Sequence, residues 1–249
     1  MDKISLAFRG EKANIGYIVG GYPSVEHTKE FLSKLDQSCL DMLEIGIPYS
    51  DPLADGKTIA KASFKAYESG LNTDSMFEIL SECKGRFSKP VVFLVYFNLV
   101  FSYGIRDFIK RAKECGVSGM IVPDLPSEES EEIFALCESE NFALIPLISV
   151  TSGDRVGEIL KRASGFVYAV GAIGVSGSKR ASVDRLKELV KTAKNFTDLP
   201  VCVGFGVRTK EDANEVKSYA DGAIIGTAIV ELTDKFSGDE LMQKVGELF

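Results

Sequence analysis

Residues 42–56 read Met42-Leu43-Glu44-Ile45-Gly46-Ile47-Pro48-Tyr49-Ser50-Asp51-Pro52-Leu53-Ala54-Asp55-Gly56. The segment opens as an apolar run of strand length holding one carboxylate. From Pro48 it becomes a Pro- and Gly-punctuated loop with the period of neither helix nor strand. Side chains alternate along a strand, so Leu43 and Ile45, packed on covering helices, force Glu44 to the opposite face. In a closed parallel barrel that face is the interior, and the C-terminal ends of barrel strands are where such folds carry their chemistry.

The pattern repeats along the chain. Apolar or β-branched runs at 15–19, 42–45, 91–95, 120–122, 143–148, 166–170, 201–205 and 223–225 alternate with stretches of helical period. Those stretches, at 26–36, 75–84, 105–115, 128–140, 155–163, 183–194, 210–218 and 239–249, place apolar residues three to four apart with charges between. Thr73 and Asp74, Ser127, Ser152 and Thr209 stand just before predicted helices as capping signals. Such alternation implies parallel strands joined by crossover helices. Closure into a (β/α)8 TIM barrel is the economical arrangement, with a doubly wound open sheet as the alternative. No linker, charge block or low-complexity tract divides the 249 residues, so residues 1–249 are expected to form a single domain. One connection, of roughly 45 residues between the second and third strands, is out of scale, and long connections are usually functional.

Composition narrows the function classes. A net charge of −7, with no Lys/Arg run interleaved with aromatics, argues against a nucleic-acid surface. Apolar stretches are of strand length and Met1-Asp2-Lys3 opens no apolar leader, so a cytoplasmic protein is expected. Cys39, Cys83, Cys115, Cys137 and Cys202 are scattered, odd in number and never in a C-x-x-C pair, which fits neither a disulfide framework nor zinc. His27 is the only histidine and stands at a helix start, so a Ser-His-Asp triad or histidine-based metal site lacks its parts. No Gly-Lys-Ser/Thr follows Gly171 at the offset a nucleotide-binding P-loop needs.

Two groups of residues could do chemistry. Glu44, facing a barrel interior, is either an acid–base group with a raised pKa or a buried carboxylate paired with Lys or Arg. Asp55, eleven residues on, lies in the loop above the same strand and can fold back toward Glu44, although an Asp-Gly pair alone reads as a turn. Two carboxylates in different environments can hold different protonation states, as an acid and a base acting on one substrate require. Calcium is excluded for Asp51 to Ala62, because Leu53 and Ala62 stand where an EF-hand loop needs oxygen ligands. The second group is glycine: Gly171, Gly174 and Gly177 after strand six, Gly204 and Gly206 after strand seven, and Gly226 before Thr227 after strand eight. Glycines let backbone N–H groups approach an anion, and the loops after strands seven and eight are where barrels bind phosphate.

Glu44-Ile-Gly-Ile-Pro-Tyr-Ser-Asp-Pro-Leu-Ala-Asp55-Gly closely resembles the signature of the tryptophan synthase alpha chain family. The resemblance continues through Tyr96-Phe-Asn98-Leu, Val122-Pro-Asp124-Leu-Pro-Ser-Glu-Glu, Thr151-Ser152, Gly174-Val-Ser-Gly177, Gly204-Phe-Gly206-Val and Ile225-Gly226-Thr-Ala-Ile-Val. It implies an (α/β)8-barrel lyase that cleaves indole-3-glycerol phosphate to indole and glyceraldehyde 3-phosphate. By position it implies Glu44 and Asp55 as catalytic carboxylates, Tyr168 beside the glutamate, and Gly177, Phe205, Gly206, Gly226 and Thr227 at the phosphate. It further implies no metal or cofactor on this chain and a beta-chain partner carrying pyridoxal phosphate, in an αββα heterotetramer. Departures from the family pattern are Tyr22, where many members carry Asp, Ser176, where Thr is frequent, and the absence of Ser and Arg in Gly171-Ala-Ile-Gly174.

Retro-aldol cleavage at indole C3 needs an acceptor for the electrons of the breaking bond, which C3 protonation and N1 deprotonation supply by forming an indolenine. The resemblance therefore implies Asp55 on the indole N–H, and Glu44 on the C3 proton and then the side-chain hydroxyl proton. Two other readings share parts of this pattern: another phosphate-binding barrel, such as a sugar-phosphate isomerase or epimerase, and a non-catalytic subunit that activates a beta chain.

Overall fold

The computed structural model describes residues 3–10, 12–170, 183–204 and 206–249. Of the candidate site residues, Gly177 and Phe205 lie outside these, as do Gly171, Gly174 and Ser176. In chain order the elements are β1 (Ala13–Val19), α1 (Val25–Lys34), β2 (Met42–Gly46), α2 (Lys57–Glu68), α3 (Thr73–Glu82) and β3 (Val91–Leu94). There follow α4 (Phe97–Tyr103), α5 (Ile105–Glu114), β4 (Gly119–Ile121), α6 (Glu131–Ser139), β5 (Ala143–Leu144), β6 (Leu147–Ser149) and α7 (Val156–Leu160). The chain ends through β7 (Val167–Val170), α8 (Val183–Lys194), β8 (Val201–Gly204), α9 (Lys210–Lys217), β9 (Gly222–Ile225), α10 (Thr227–Thr233) and α11 (Gly238–Gly246).

All strand pairs are parallel, in the order β5-β4-β3-β2-β1-β9-β8-β7-β6. The two ends of that order are the halves of one strand. The run predicted at 143–148 breaks at Pro146, which has no N–H to give a ladder. Across the break Ile145 N–H still donates to the Met120 carbonyl, and the Pro146 carbonyl accepts from Tyr168 N–H. One broken strand thus bonds both neighbours and closes the sheet into a TIM barrel.

Two hydrophobic clusters follow the strand alternation. Leu43, Ile45, Phe93, Val167 and Val203 belong to the layer between sheet and helices. Ile15, Tyr17, Met42, Val92, Phe166, Tyr168 and Ile224 fill the barrel. The alternation inferred from residues 42–46 therefore holds around the ring. Ile4 and Ala7, on the short 3-10 helix Ile4–Phe8, join the inner cluster, so this segment packs with the barrel's own residues.

Three helices lay outside the sequence reading. α2 buries Ile59, Ala62, Ser63 and Ala66 while Phe64 and Tyr67 stay exposed, so its inward stripe is written in small residues and its aromatics mislead a hydrophobicity count. α4 buries only Val100 among its seven residues, and α10 follows β9 directly with Gly226 as an N-cap that makes no side-chain bond. Three of the four expected caps also differ. α3 is capped by Asn72, in a reciprocal box with Ser75, rather than by Thr73 or Asp74; Ser127 opens a 3-10 turn, and Ser130 precedes α6. Ser152 makes no helix cap, its hydroxyl accepting instead from Ser149 N–H, whereas Thr209 caps α9 as expected, in a box with Asp212.

Candidate active site

Glu44 lies on β2 with Leu43 and Ile45 turned to the helices, and it has no exposed surface. Neither of its carboxylate oxygens has a hydrogen-bond partner among the described residues. The paired-carboxylate reading therefore lacks its Lys or Arg. Burial without compensation disfavours the charged form and pushes the Glu44 pKa from 4.5 up to about 8.

Asp55 arrives from the long loop. Tyr49 N–H donates to Ser63 Oγ of α2, Ala54 N–H donates to the Tyr96 hydroxyl, and that hydroxyl donates in turn to Asp55 Oδ2 at 3.2 Å. Tyr49 and Tyr96 stack with ring centroids 5.2 Å apart. The loop is poor in apolar anchors, Leu53 being 73% exposed, yet it is tied by polar contacts that its composition does not advertise. Burial raises the Asp55 pKa from 3.8 to about 6, opposed by the Tyr96 hydrogen bond. The two carboxylates therefore differ at neutral pH: Asp55 is mostly ionised and Glu44 mostly protonated.

A narrow cavity at the C-terminal ends of the strands brings the pieces together. Glu44, Asp55, Tyr168, Gly206, Gly226 and Thr227 all line it, so six of the eight candidate site residues meet in one place. A larger cleft, toward the opposite end of the barrel near Lys12, Asn14 and Asp221, contains none of them. Gly206 has φ 85°, a conformation that L side chains avoid, and Gly226 immediately precedes α10.

Two tyrosines complete the walls, each leaning over a glycine on the next strand. Tyr168 on β7 reaches across Gly204, where a Cβ would stand 2.3 Å from the phenol oxygen. Tyr17 on β1 reaches across Gly46, where a Cβ would stand 2.1 Å from it. Tyr17 and Tyr96 were not among the expected site residues. Tyr17 could have been found from strand parity, since it alternates inward with Ile15 and Val19. Tyr96 could not, because its role depends on a loop folding back over forty residues of chain.

Tyr22, at the position where many family members carry Asp, donates its hydroxyl to Asp234 beyond α10. Burial first, then that hydrogen bond, pushes its pKa up to about 12. His27 lies half-buried on α1, its backbone N–H received by the Ser24 hydroxyl, and takes no part in the cavity.

Residues 5–248 match the family model described as tryptophan synthase alpha chain. The chain belongs to that family. The tryptophan synthase alpha chain of Campylobacter jejuni is 43% identical over 243 residues, covering 97% of each chain. That of Methanocaldococcus jannaschii is 42% identical over 229 residues, covering 91% of this chain and 81% of the relative. Among solved structures, the tryptophan synthase subunit alpha from Campylobacter jejuni superposes with a TM-score of 0.89 at 43% identity over 97% of each chain. A tryptophan synthase from M. tuberculosis, in an aminoacrylate-bound form, gives 0.88 at 31% identity over 100% of this chain and 98% of the other. The alpha-chain family comprises lyases of tryptophan biosynthesis, and its reaction is the cleavage of indole-3-glycerol phosphate to indole and glyceraldehyde 3-phosphate. A beta-chain partnership goes with that membership, and pyridoxal phosphate belongs to the beta chain. Among the described residues no helix is long and apolar enough to cross a membrane.

Proposed function

We propose that Glu44 and Asp55 perform the cleavage, Glu44 as the acid that protonates indole C3 and Asp55 as the carboxylate that receives or stabilises the N1 proton. The observation that carries this reading is one cavity lined by two carboxylates whose burial leaves them in opposite protonation states near pH 7. Having delivered its proton to C3, Glu44 is a carboxylate in an apolar site, and so a strong acceptor for the hydroxyl proton of the adjoining carbon. As that proton leaves, the C–C bond breaks into the indolenine and the aldehyde forms. Asp55 then returns the N1 proton, and free indole results.

The test is the pH dependence of kcat/KM, which reports the free enzyme's essential groups. Activity is expected to rise as Asp55 ionises around pH 6 and to fall as Glu44 loses its proton around pH 8. Tyr96→Phe removes the hydrogen bond that favours the Asp55 carboxylate. The acidic limb of that variant is expected to move to higher pH while the basic limb stays. A profile that shifts on both limbs, or on neither, would sink the assignment of Asp55 to the acidic limb.

The phosphate is assigned to Gly206, Gly226 and Thr227, and, by family resemblance alone, to Gly177 and Phe205. The supporting feature is small backbone at the ends of β8 and β9, open to the same cavity as the carboxylates. Gly206→Val adds a branched side chain at a positive φ and blocks anion approach. It is expected to weaken glycerol phosphate binding by roughly tenfold or more, as loss of one or two hydrogen bonds to a charged group would, while indole binding changes little. Equal weakening of both ligands by calorimetry would speak against the assignment.

Leu53 in the long loop and Phe101 on α4 are 73% and 65% exposed on elements that follow β2 and β3. They lie on the face that carries Asp55 and Tyr96, and we assign that face to the beta chain, in a cytoplasmic αββα heterotetramer. Indole released there reaches the partner without crossing bulk water.

A further inference from the structure

Tyr17 stands where the two ends of the site meet. Its Cα is in register with that of Glu44 on the neighbouring strand. One edge of its ring packs against Gly226, where an added Cβ would lie 3.3 Å from Tyr17 Cδ1. The other end passes over Gly46, two residues beyond Glu44 on β2, where an added Cβ would lie 2.9 Å from Cζ and 2.1 Å from the hydroxyl oxygen. The ring therefore runs from the loop assigned to phosphate to the strand that carries the acid, along one wall of the cavity.

Its hydroxyl is chemically unfinished. Among the described residues it makes no hydrogen bond, although Tyr96 nearby makes two. A phenol at a buried position normally finds a partner, and this one opens onto the cavity with none. Burial, then coupling to the neighbouring acidic groups Asp55, Tyr96 and Glu44, holds its pKa well above the ordinary phenol value, so it remains a donor across the working pH range.

We propose that Tyr17 is a positioning and specificity residue whose hydroxyl donates a hydrogen bond to the substrate's three-carbon chain, at the chain hydroxyl that cleavage does not deprotonate. The inference rests on the phosphate end lying at Gly206 and Gly226. Given that, the chain joining phosphate to indole must pass along the Tyr17 ring to reach Glu44. Glu44 accepts the proton of the hydroxyl next to the indole. The hydroxyl nearer the phosphate needs a different partner, and the Tyr17 phenol is the unsatisfied group beside that path. Gly46 contributes by having no side chain, since any Cβ there would occupy the place of the phenol oxygen.

The experiment compares two phosphate esters, glycerol 3-phosphate and n-propyl phosphate, which differ only in the chain hydroxyls. Both are titrated calorimetrically into the wild-type chain and into Tyr17→Phe. The wild type is expected to prefer glycerol phosphate. Tyr17→Phe is expected to lose about 2- to 10-fold of that preference, the span of one neutral hydrogen bond, with n-propyl phosphate binding unchanged. Gly46→Ala, which displaces the phenol oxygen, should cost the same preference in the wild-type background. If the preference survives Tyr17→Phe, or both esters weaken equally, the hydroxyl is not the recognising group and the proposal falls alone. If neither ester binds the wild type, the phosphate reading fails and the role of Tyr17 fails with it.

Discussion

Glu44→Gln is expected to lower the turnover of indole-3-glycerol phosphate by about 10²- to 10⁴-fold, the range over which a positioned acid–base group contributes. Glutamine keeps the shape of the side chain but can neither deliver a proton to C3 nor accept one from the chain hydroxyl. Substrate binding should persist, because the handle for binding is the phosphate. Rapid-quench measurement of a single turnover reads the chemical step directly, and a variant retaining more than about a tenth of wild-type turnover would mean that the acid lies elsewhere.

The same substitution has a second consequence, in stability. The Glu44 pKa is raised on folding from 4.5 to about 8, so between those values the folded chain binds a proton that the unfolded chain has released. Stability derived from this group is complete below pH 4.5 and is lost progressively as pH rises through 8. Glu44→Gln has no such proton. Its stability relative to wild type should therefore climb across that window, by an amount on the order of a few kcal/mol, and level off above it. Urea unfolding at pH 5, 7 and 9 would measure the trend, and a difference independent of pH would mean that Glu44 is not buried unpaired. Asp55, whose raised pKa comes from burial and not from Glu44, contributes the same slope to both proteins.

Asp55→Asn is expected to lose about 10²-fold or more in turnover. Asparagine can accept a hydrogen bond from the indole nitrogen but cannot hold its proton or balance the positive charge that C3 protonation places on the ring. The loss should fall on kcat more than on KM, since the interaction strengthens only as charge develops. The variant also separates two meanings of the assignment. Charge stabilisation alone would leave a residual rate that is insensitive to pH around 6, whereas a rate still rising there would require another base. The Tyr96 hydroxyl, left with its Ala54 donor, should stay in place, so the loop itself need not reorganise.

The barrel and the meeting of two buried carboxylates at one end of it were legible in the chain as written. Parity along Leu43-Glu44-Ile45 sent the carboxylate inward, and the recurrence of strand-length runs between helical stretches set the topology, because both signals are periodic and local. The glycines before Thr227 and around Gly204 and Gly206 marked the strand ends for the same reason. What tertiary structure alone decided was of another kind. Small buried residues hid α2, since Ala62 and Ala66 gain their meaning only from the inner cluster they join. Pro146 broke one strand without breaking the ring, because Ile145 and Pro146 still found partners on both sides. The grip of Tyr96 on Asp55, the fit of Tyr17 over Gly46, and the absence of any cation beside Glu44 among the described residues are all relations between residues distant in sequence. A buried carboxylate takes its pKa from everything that surrounds it, and the sequence names the carboxylate but not its surroundings.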